Sequence, residues 1–546
     1  MVLSQGIREN LRFLLVEVGG QLDNLIEFLS DKNRAAGHRI LHRGGYTENL
    51  KRRIHQACLE QIKALPEATA DAPQLRAMER IASELEMIAD LCRDSASQLS
   101  ELDSTAALKV KQHAKRLHDI GNGLGLVLPA LESSDLRLAQ RLAKLETKLN
   151  RRCRKMRKDY SGRLRERSKT QQLIAGLFIA RNIEQMGHCL LNISDALVSS
   201  ALGQPMNMRR YNSLRASMAS LEQTRQQQGL QVQPLAETRS GSAISAISAD
   251  SDGETDYLAI FKDGEEHKLR EERDGVQSWH EIYPGLAPRI INYHKWGQSA
   301  ALLIEHLSGL TLERILLHES DRLLRQALNR LGKTLHSVWR ETRIDQPVGA
   351  GFMAQTQQRL AEVYALHPEF RQGDVALCGL QYPGFDPLLE QARAYESALK
   401  APFSVYIHGD FNIDNIIYEP NEGQIRFIDL HRSCYMDYVQ DVSVFMVSNY
   451  RMQILDPPRR RRIMATALEL YRIAAEFARS QGDLGFELRL ALGLARSFVT
   501  STRFILDESL AASMFLRARY LIEQALRVNP DKAREYRIPL QEIFIG

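Results

Sequence analysis

No stretch of the 546 residues approaches the roughly 18 uninterrupted apolar side chains that a membrane-spanning helix needs. Cysteine is scarce and scattered. Cys58, Cys92, Cys153, Cys189, Cys378 and Cys434 lie far apart with no Cys-x-x-Cys pair, which fits neither a zinc ribbon nor a dense disulfide framework and leaves buried free thiols as the expectation. The N-terminus, Met-Val-Leu-Ser-Gln-Gly-Ile-Arg-Glu, lacks a charged segment followed by an apolar run, so no signal peptide is expected and the cytoplasm is the expected location. Charge of one sign is also lacking: a formal net charge of +5 is small for this length, and no nucleic-acid partner is expected from it. What is present is ordinary, with 44% hydrophobic and 25% charged residues and enough chain for two or three domains, each with its own core.

The first 205 residues read as helix throughout. Ile7, Leu11, Leu14, Val18, Leu22, Leu25 and Leu29 recur at steps of three and four, which places them on one helix face. Breaks near Gly44-Gly45, Pro66 to Pro73, Asp103-Ser104, Ser133-Ser134 and Ser161-Gly162 predict about six long helices. A shift of 98 residues lays Leu75, Ala77, Ile81, Ala82 and Glu86 over Leu173, Ala175, Ile179, Ala180 and Glu184. That internal repeat predicts two consecutive three-helix bundles.

Residues 206–236 are polar and Gln-rich and read as a connector that begins as helix. Beyond it the pattern becomes mixed. Ala243 to Ala249 is short and apolar, Tyr257 to Lys262 reads as a strand, Asp263-Gly264 as a turn, 266–281 as a helix and Ala301 to Leu307 as another strand. Helices dominate 311–400 and 437–530, with strands at Phe403 to His408, Ile416 to Tyr418 and Ile425 to Ile428. The expected fold is multidomain: an all-α N-terminal domain over 1–205, then an α+β bilobal domain over 237–546. Its small lobe spans about 237–310 and its helical lobe about 311–546.

The chemistry concentrates in His408-Gly-Asp-Phe-Asn-Ile-Asp-Asn415 and Ile428-Asp429. Asp410 and Asn415 precede two short apolar strands, and Asp429 follows them. A hairpin of that length returns Asp429 to the side of Asp410 and Asn415. Two carboxylates and an amide at strand ends suit a hard cation such as Mg²⁺, and a carboxylate free of metal can accept a proton from a hydroxyl nucleophile. The bland alternative is a polar turn whose Asp and Asn side chains bond their own backbone.

His-Gly-Asp-x-x-x-x-Asn followed by Ile-Asp resembles the catalytic segment of the aminoglycoside phosphotransferase family, relatives of the eukaryotic-type protein kinases. The resemblance implies a kinase-like fold that uses ATP and Mg²⁺. It makes Asp410 the catalytic base, His408 the brace of the catalytic loop, Asn415 and Asp429 the metal ligands, and Asp441 the loop's support from the next helix. It also implies a lysine on the third strand held by a glutamate of the following helix. Lys262 and Glu272 fit, with Glu271 as a rival partner and a plain surface lysine as the other reading. Arg239-Ser240-Gly241-Ser242 would cover the phosphates, and Glu305 to Gly309, with Glu305 and Leu307, would form the hinge against adenine. A Gly-Lys-Ser/Thr P-loop is absent, which disfavours a Walker-type ATPase.

In the helical half, Glu86 and Asp90, and Glu184 and His188, stand four apart and so share helix faces, which could bind a cation or simply face solvent. The repeat, with Arg181-Asn-Ile-Glu-Gln-Met-Gly-His-Cys-Leu-Leu-Asn-Ile-Ser194, resembles the PhoU family of phosphate-signalling proteins, whose acidic faces hold metal clusters. His188 stands where that family has Asp, and Ala89 where it has Gly, so Glu86 and Asp90 keep the full pair while a Glu184/His188 site would be weaker or select a softer metal. Between Arg137 and Lys169, fourteen Lys and Arg face three carboxylates; such a stretch is either a solvated face or a contact for an anionic partner.

Together these readings predict an ATP- and Mg²⁺-dependent phosphotransferase acting on a hydroxyl of a small-molecule acceptor. The PhoU-like domain would link it to phosphate signalling or to a transporter protein partner. The alternative is a non-catalytic, nucleotide-sensing regulator of phosphate transport. Acceptor and oligomeric state are not expressed in the sequence.

Overall fold

The computed structural model describes residues 4–545 except 32, 65–71, 134, 165–168, 204, 226–229, 238–242, 252–253, 297–298 and 455. The chain forms two compact units, Met1–Thr224 and Arg225–Gly546.

The first unit is helical: α1 (Gln5–Asp31), α2 (Arg34–Leu41), α3 (Gly44–Ala64), α4 (Ala72–Ser100), α5 (Val110–Leu124), α6 (Val127–Ser133), α7 (Leu136–Arg163), α8 (Thr170–Leu202) and α9 (Met208–Arg225). Within the first 205 residues six are long, α1, α3, α4, α5, α7 and α8, as the breaks predict, and α9 follows beyond them. The short α2 starts at the capping Asn33, and the short α6 follows the glycine-rich end of α5 at Gly123 to Gly125. The 98-residue shift is realised in the elements, since α8 starts 98 residues after α4. The seven apolar residues of the α1 stripe are all buried, as are Leu75, Ile81, Ala82 and Leu85 on α4 and Ile179, Ala180, Ile183 and Met186 on α8. Small residues among them let α4 and α8 approach closely, so each repeat closes its core on the other.

The basic stretch is mostly α7. Its apolar face, with Leu142, Leu149, Cys153, Met156 and Tyr160, is buried. On its other faces Arg152 and Lys148 lean toward Asp119 of α5, and Arg157 reaches Glu184 of α8. Arg141, Lys144, Arg151, Arg154, Lys155 and Lys158 are exposed. Part of the charge therefore stitches the bundle and part stands in solvent.

The second unit opens with a five-stranded antiparallel sheet, β1 (Leu230–Glu237), β2 (Ala243–Ser251), β3 (Glu254–Glu265), β4 (Ile290–Trp296) and β5 (Ser299–Glu305), in the order β1-β2-β3-β5-β4. The expected connector is thus α9 followed by a strand. Leu230-Gln-Val-Gln alternates apolar and polar residues, a strand period that the surrounding glutamines obscure. The expected turn at Asp263-Gly264 is not a turn: β3 runs on to Glu265, because Asp263 and Gly264 pair with Ala301 and Ala300 of β5. Helix α10 (Glu266–Ile282) then crosses the sheet, burying Leu269, Glu272, Gly275, Val276 and Trp279.

After β6 (Leu310–Thr311) the chain becomes helical: α11 (Leu312–His318), α12 (Asp321–Glu341), α13 (Phe352–Leu366) and, past the small hairpin β7 (Val375–Leu377) and β8 (Leu380–Tyr382), α14 (Phe385–Glu396). Four short strands carry the chemistry: β9 (Val405–Ile407), β10 (Ile416–Glu419), β11 (Gln424–Phe427) and β12 (Cys434–Met436). Helices α15 (Val439–Tyr450), α16 (Pro457–Ser480), α17 (Phe486–Thr502), α18 (Glu508–Leu526) and α19 (Leu540–Ile543) complete the lobe. One large core joins Trp279, Trp339, Phe403, Phe411, Phe427, Tyr438, Phe445 and Phe477, so the His408 to Asp429 segment rests on packed aromatics. Among the described residues no helix is long and apolar enough to cross a membrane.

Candidate active site

β9 delivers His408, Gly409 and Asp410 to the end of the sheet, and a one-turn 3-10 helix, Ile413–Asn415, swings the chain into β10. Gly409 has φ +82°, and a Cβ there would lie 2.1 Å from the Arg432 carbonyl oxygen, so only glycine fits. The β10–β11 hairpin pairs Ile416 with Phe427 and returns the chain, and the Ile428 N–H donates to the Asn415 carbonyl at 3.0 Å. Asp429 therefore lies beside the turn that carries Asp410 and Asn415. It holds φ +62°, a left-handed conformation uncommon for residues other than glycine, though aspartate and asparagine adopt it more readily than most.

The loop is braced from inside. The buried Asp441 carboxylate, at the start of α15, accepts the N–H groups of His408 and Gly409, both at 2.8 Å. Burial pushes its pKa up to about 7, against the pull of those two hydrogen bonds. His408 Nε2 bonds the Ile428 carbonyl at 2.9 Å and Nδ1 accepts the Asp410 N–H at 3.3 Å, which fixes one neutral tautomer. Burial lowers its pKa accordingly. The ring thus ties the Asp410 strand to the Asp429 strand.

Asp410 is not buried in the brace. Its carboxylate accepts from Asn412 Nδ2 at 3.0 Å and meets Arg432 Nη1 at 3.3 Å. Asn415 Nδ2 donates to the Asp410 carbonyl at 2.9 Å, which leaves its amide oxygen available to coordinate a ligand. Burial works against the Asp429 charge, but the His431 hydrogen bond at 3.1 Å, Lys262 and His408 outweigh it and hold the carboxyl well below its usual range. One amide oxygen and one firmly ionised carboxylate make a hard donor pair. It suits Mg²⁺, which keeps several waters and takes the rest of its oxygens from phosphate.

Lys262 leaves β3 toward this group. It is buried and paired with Glu272 of α10, while Glu271 makes no such contact. Burial alone would lower the lysine pKa, yet Glu272 and Asp429 reverse the sign and raise it. Lys268 instead pairs with Glu265 at 3.0 Å. Helix α10 sits close enough for this because of Gly275, where a Cβ would lie 2.0 Å from the Leu430 carbonyl oxygen. At the expected hinge, the Glu305 side chain is held by Arg289 at 3.2 Å and its N–H by the Arg289 carbonyl at 2.9 Å. Leu307 is buried just beyond. Ser240, Gly241 and Ser242 lie outside the described residues.

The helical unit does not gather its candidates. Glu86 pairs with Lys51 at 3.2 Å, Asp90 with Arg93, Glu184 with Arg157 and Arg181, and the His188 ring with Glu146 at 3.3 Å. Among the described residues no three His, Cys, Asp or Glu side chains meet in a metal-binding group.

Several residues that the sequence reading passed over also belong to the site. His431 fixes Asp429, Arg432 meets Asp410, and Gln440 Nε2 donates to the Gly409 carbonyl at 3.3 Å. The available signal was proximity in sequence to the Asp429 and Asp441 positions.

Residues 265–477 match the family model described as phosphotransferase enzyme family, and residues 118–197 match the PhoU domain. Among solved structures, PhoU from Pseudomonas aeruginosa is 17% identical over 36% of this chain and 96% of its own, with a TM-score of 0.34. An aminoglycoside-3'-phosphotransferase of type VIII is 17% identical over 50% of this chain and 100% of its own, TM-score 0.31. A putative fructosamine-3-kinase from Haemophilus somnus is 14% identical over 58% and 97%, TM-score 0.33. No curated protein matches the chain.

Proposed function

We propose that the second unit is an ATP- and Mg²⁺-dependent phosphotransferase that acts on a hydroxyl of a small molecule. The observation that carries this reading is the Asp410 loop, braced by Asp441 and His408 and set beside the Lys262–Glu272 pair and Asp429. The phosphotransferase match over 265–477 includes the whole loop, with Lys262 just before it.

In this reading Asp410 orients the acceptor hydroxyl and takes its proton. The hydroxyl oxygen bonds the γ-phosphorus as the bond to the bridging oxygen breaks, leaving ADP. Lys262 holds phosphate oxygens, and the buried Glu272 keeps its ammonium aimed. Asn415 and Asp429 would hold Mg²⁺, which when bound neutralises phosphate charge. The backbone at Glu305 to Leu307 would meet the adenine, and Ser240 to Ser242 the phosphates. Six free cysteines and the use of ATP fit a reducing, cytoplasmic setting. The PhoU-domain match supports a regulatory role for the helical unit in phosphate signalling, through a protein partner.

The nucleotide-sensing alternative draws on one observation, the Arg432 guanidinium on Asp410. Asp410→Asn separates the two. For an enzyme it lowers kcat by a factor of about 10² or more with Mg²⁺-ATP binding retained. A wild-type protein that binds Mg²⁺-ATP but transfers to no alcohol, and is indifferent to Asp410→Asn, would be the sensor.

A further inference from the structure

Beside Asp410 the helical lobe presents arginines on two packed helices. Gln355, Arg359 and Glu362 stand at i, i+4 and i+7 on α13, and Arg496 on α17 stands seven residues before Arg503, which caps that helix in a helical conformation, so each set shares a face. The faces meet. Arg503 Nη1 and Arg359 Nη1 bind the two oxygens of the same Glu362 carboxylate, at 3.0 and 2.9 Å. Arg496 donates twice to Gln355 Oε1, at 3.0 and 2.7 Å. Gln355 passes on to Gln440 at 3.3 Å and Gln440 to the Gly409 carbonyl at 3.3 Å, so the cluster is wired to the catalytic loop. Arg432 completes it from the loop side, on Asp410.

Of these four guanidinium groups three meet a carboxylate, Arg359 and Arg503 on Glu362 and Arg432 on Asp410. Among the described residues Arg496 has no carboxylate within ion-pair distance; its fork is held by the neutral Gln355 and by Ser497 at 3.4 Å. Burial and the neighbouring Arg432, Arg503 and Arg359 push its pKa down to about 10, with Asp410 opposing. The Arg496 side chain is half-buried, and a partly desolvated cation there is stabilised by an anion that compensates it. A guanidinium fork is matched in shape to a carboxylate or phosphate.

We infer that the acceptor is an alcohol carrying an oxyanion, a carboxylate or a phosphate, which docks on Arg496, Arg359 and Arg503 and sets its hydroxyl at Asp410. This rests on the phosphotransferase reading. On docking, the anion draws Arg432 from Asp410 and frees that carboxylate for the hydroxyl. Polycationic acceptors meet repulsion in the same place.

The full-length protein with Mg²⁺-ATP is offered glycerate, glycerol 3-phosphate, glycerol, ethanolamine and kanamycin, with transfer followed by ³¹P NMR. Transfer confined to the two anionic alcohols is expected, and their relative kcat/KM tells carboxylate from phosphate. Arg496→Met and the more exposed Arg359→Gln should each raise KM for the anionic alcohol by roughly tenfold or more while KM for ATP holds. Arg496→Lys should recover only part. Efficient transfer to ethanolamine, kanamycin or glycerol overturns the inference. If nothing is phosphorylated, the phosphotransferase reading fails, and calorimetric binding of inorganic phosphate decides the site on its own. Binding weakened by Arg359→Gln upholds the anion site; no binding, or binding indifferent to both variants, sinks it.

Discussion

At the scale of single residues, the site depends on backbone as much as on functional groups. Gly409 lets the chain pass under the Arg432 carbonyl in a left-handed conformation, and that passage aims both N–H groups at Asp441. Gly409→Ala should therefore cost about 2–4 kcal/mol of stability and remove ATP-dependent transfer, although no reacting group is touched. Thermal unfolding beside an activity assay checks it; a variant of wild-type stability and rate would mean the loop is freer than the 2.1 Å approach allows. Asp410, Asn415 and Asp429 were readable in the sequence because one hairpin brings them together. Arg359 and Arg496 were not, because they meet through helix packing across 137 residues and each looks like an ordinary surface arginine.

At the scale of elements, periodicity found most helices, and pairing partners decided the strands. The predicted turn at Asp263-Gly264 became strand because β5 supplies partners through Glu265. Strand β4, Ile-Ile-Asn-Tyr-His-Lys-Trp, is not legible from alternation because the Ile290-Ile291 doublet breaks it, and in the structure the register shifts between Ile290 and Asn292. Helix α13 shows how an element is set in place. It begins after Gly351 in a left-handed conformation, without a capping side chain of its own. The buried Glu396, at the end of α14, accepts the Phe352 and Met353 N–H groups at 2.6 and 2.9 Å instead. Burial raises the Glu396 pKa, and those two bonds oppose it. Glu396→Ala strands two buried donors and should cost about 2–3 kcal/mol. Because α13 carries Gln355 and Arg359, the same variant should raise KM for the acceptor more than KM for ATP, which steady-state kinetics can read.

At the scale of the whole molecule, two units with separate cores are expected to unfold in two calorimetric transitions, and buried titrating groups give those transitions opposite responses to acid. In the helical unit His113 bonds the Tyr160 hydroxyl at 2.8 Å, and burial, then Lys109, lowers its pKa from 6.5 to about 4. The unfolded chain binds the extra proton first as pH falls, so stability is lost between pH 6.5 and 4, by an order of 3 kcal/mol at most. In the second unit the Asp441 pKa is raised from 3.8 to about 7, so the native state binds the proton first and stability is gained as pH falls from 7 toward 4. The buried His408, shifted downward, offsets part of that gain. Between pH 7 and 5 the helical transition should move down in temperature while the other holds or rises. His113→Phe should flatten the first response and leave the second unchanged. Parallel shifts of both transitions in the wild type would show that surface charge, not these buried groups, governs the acid response.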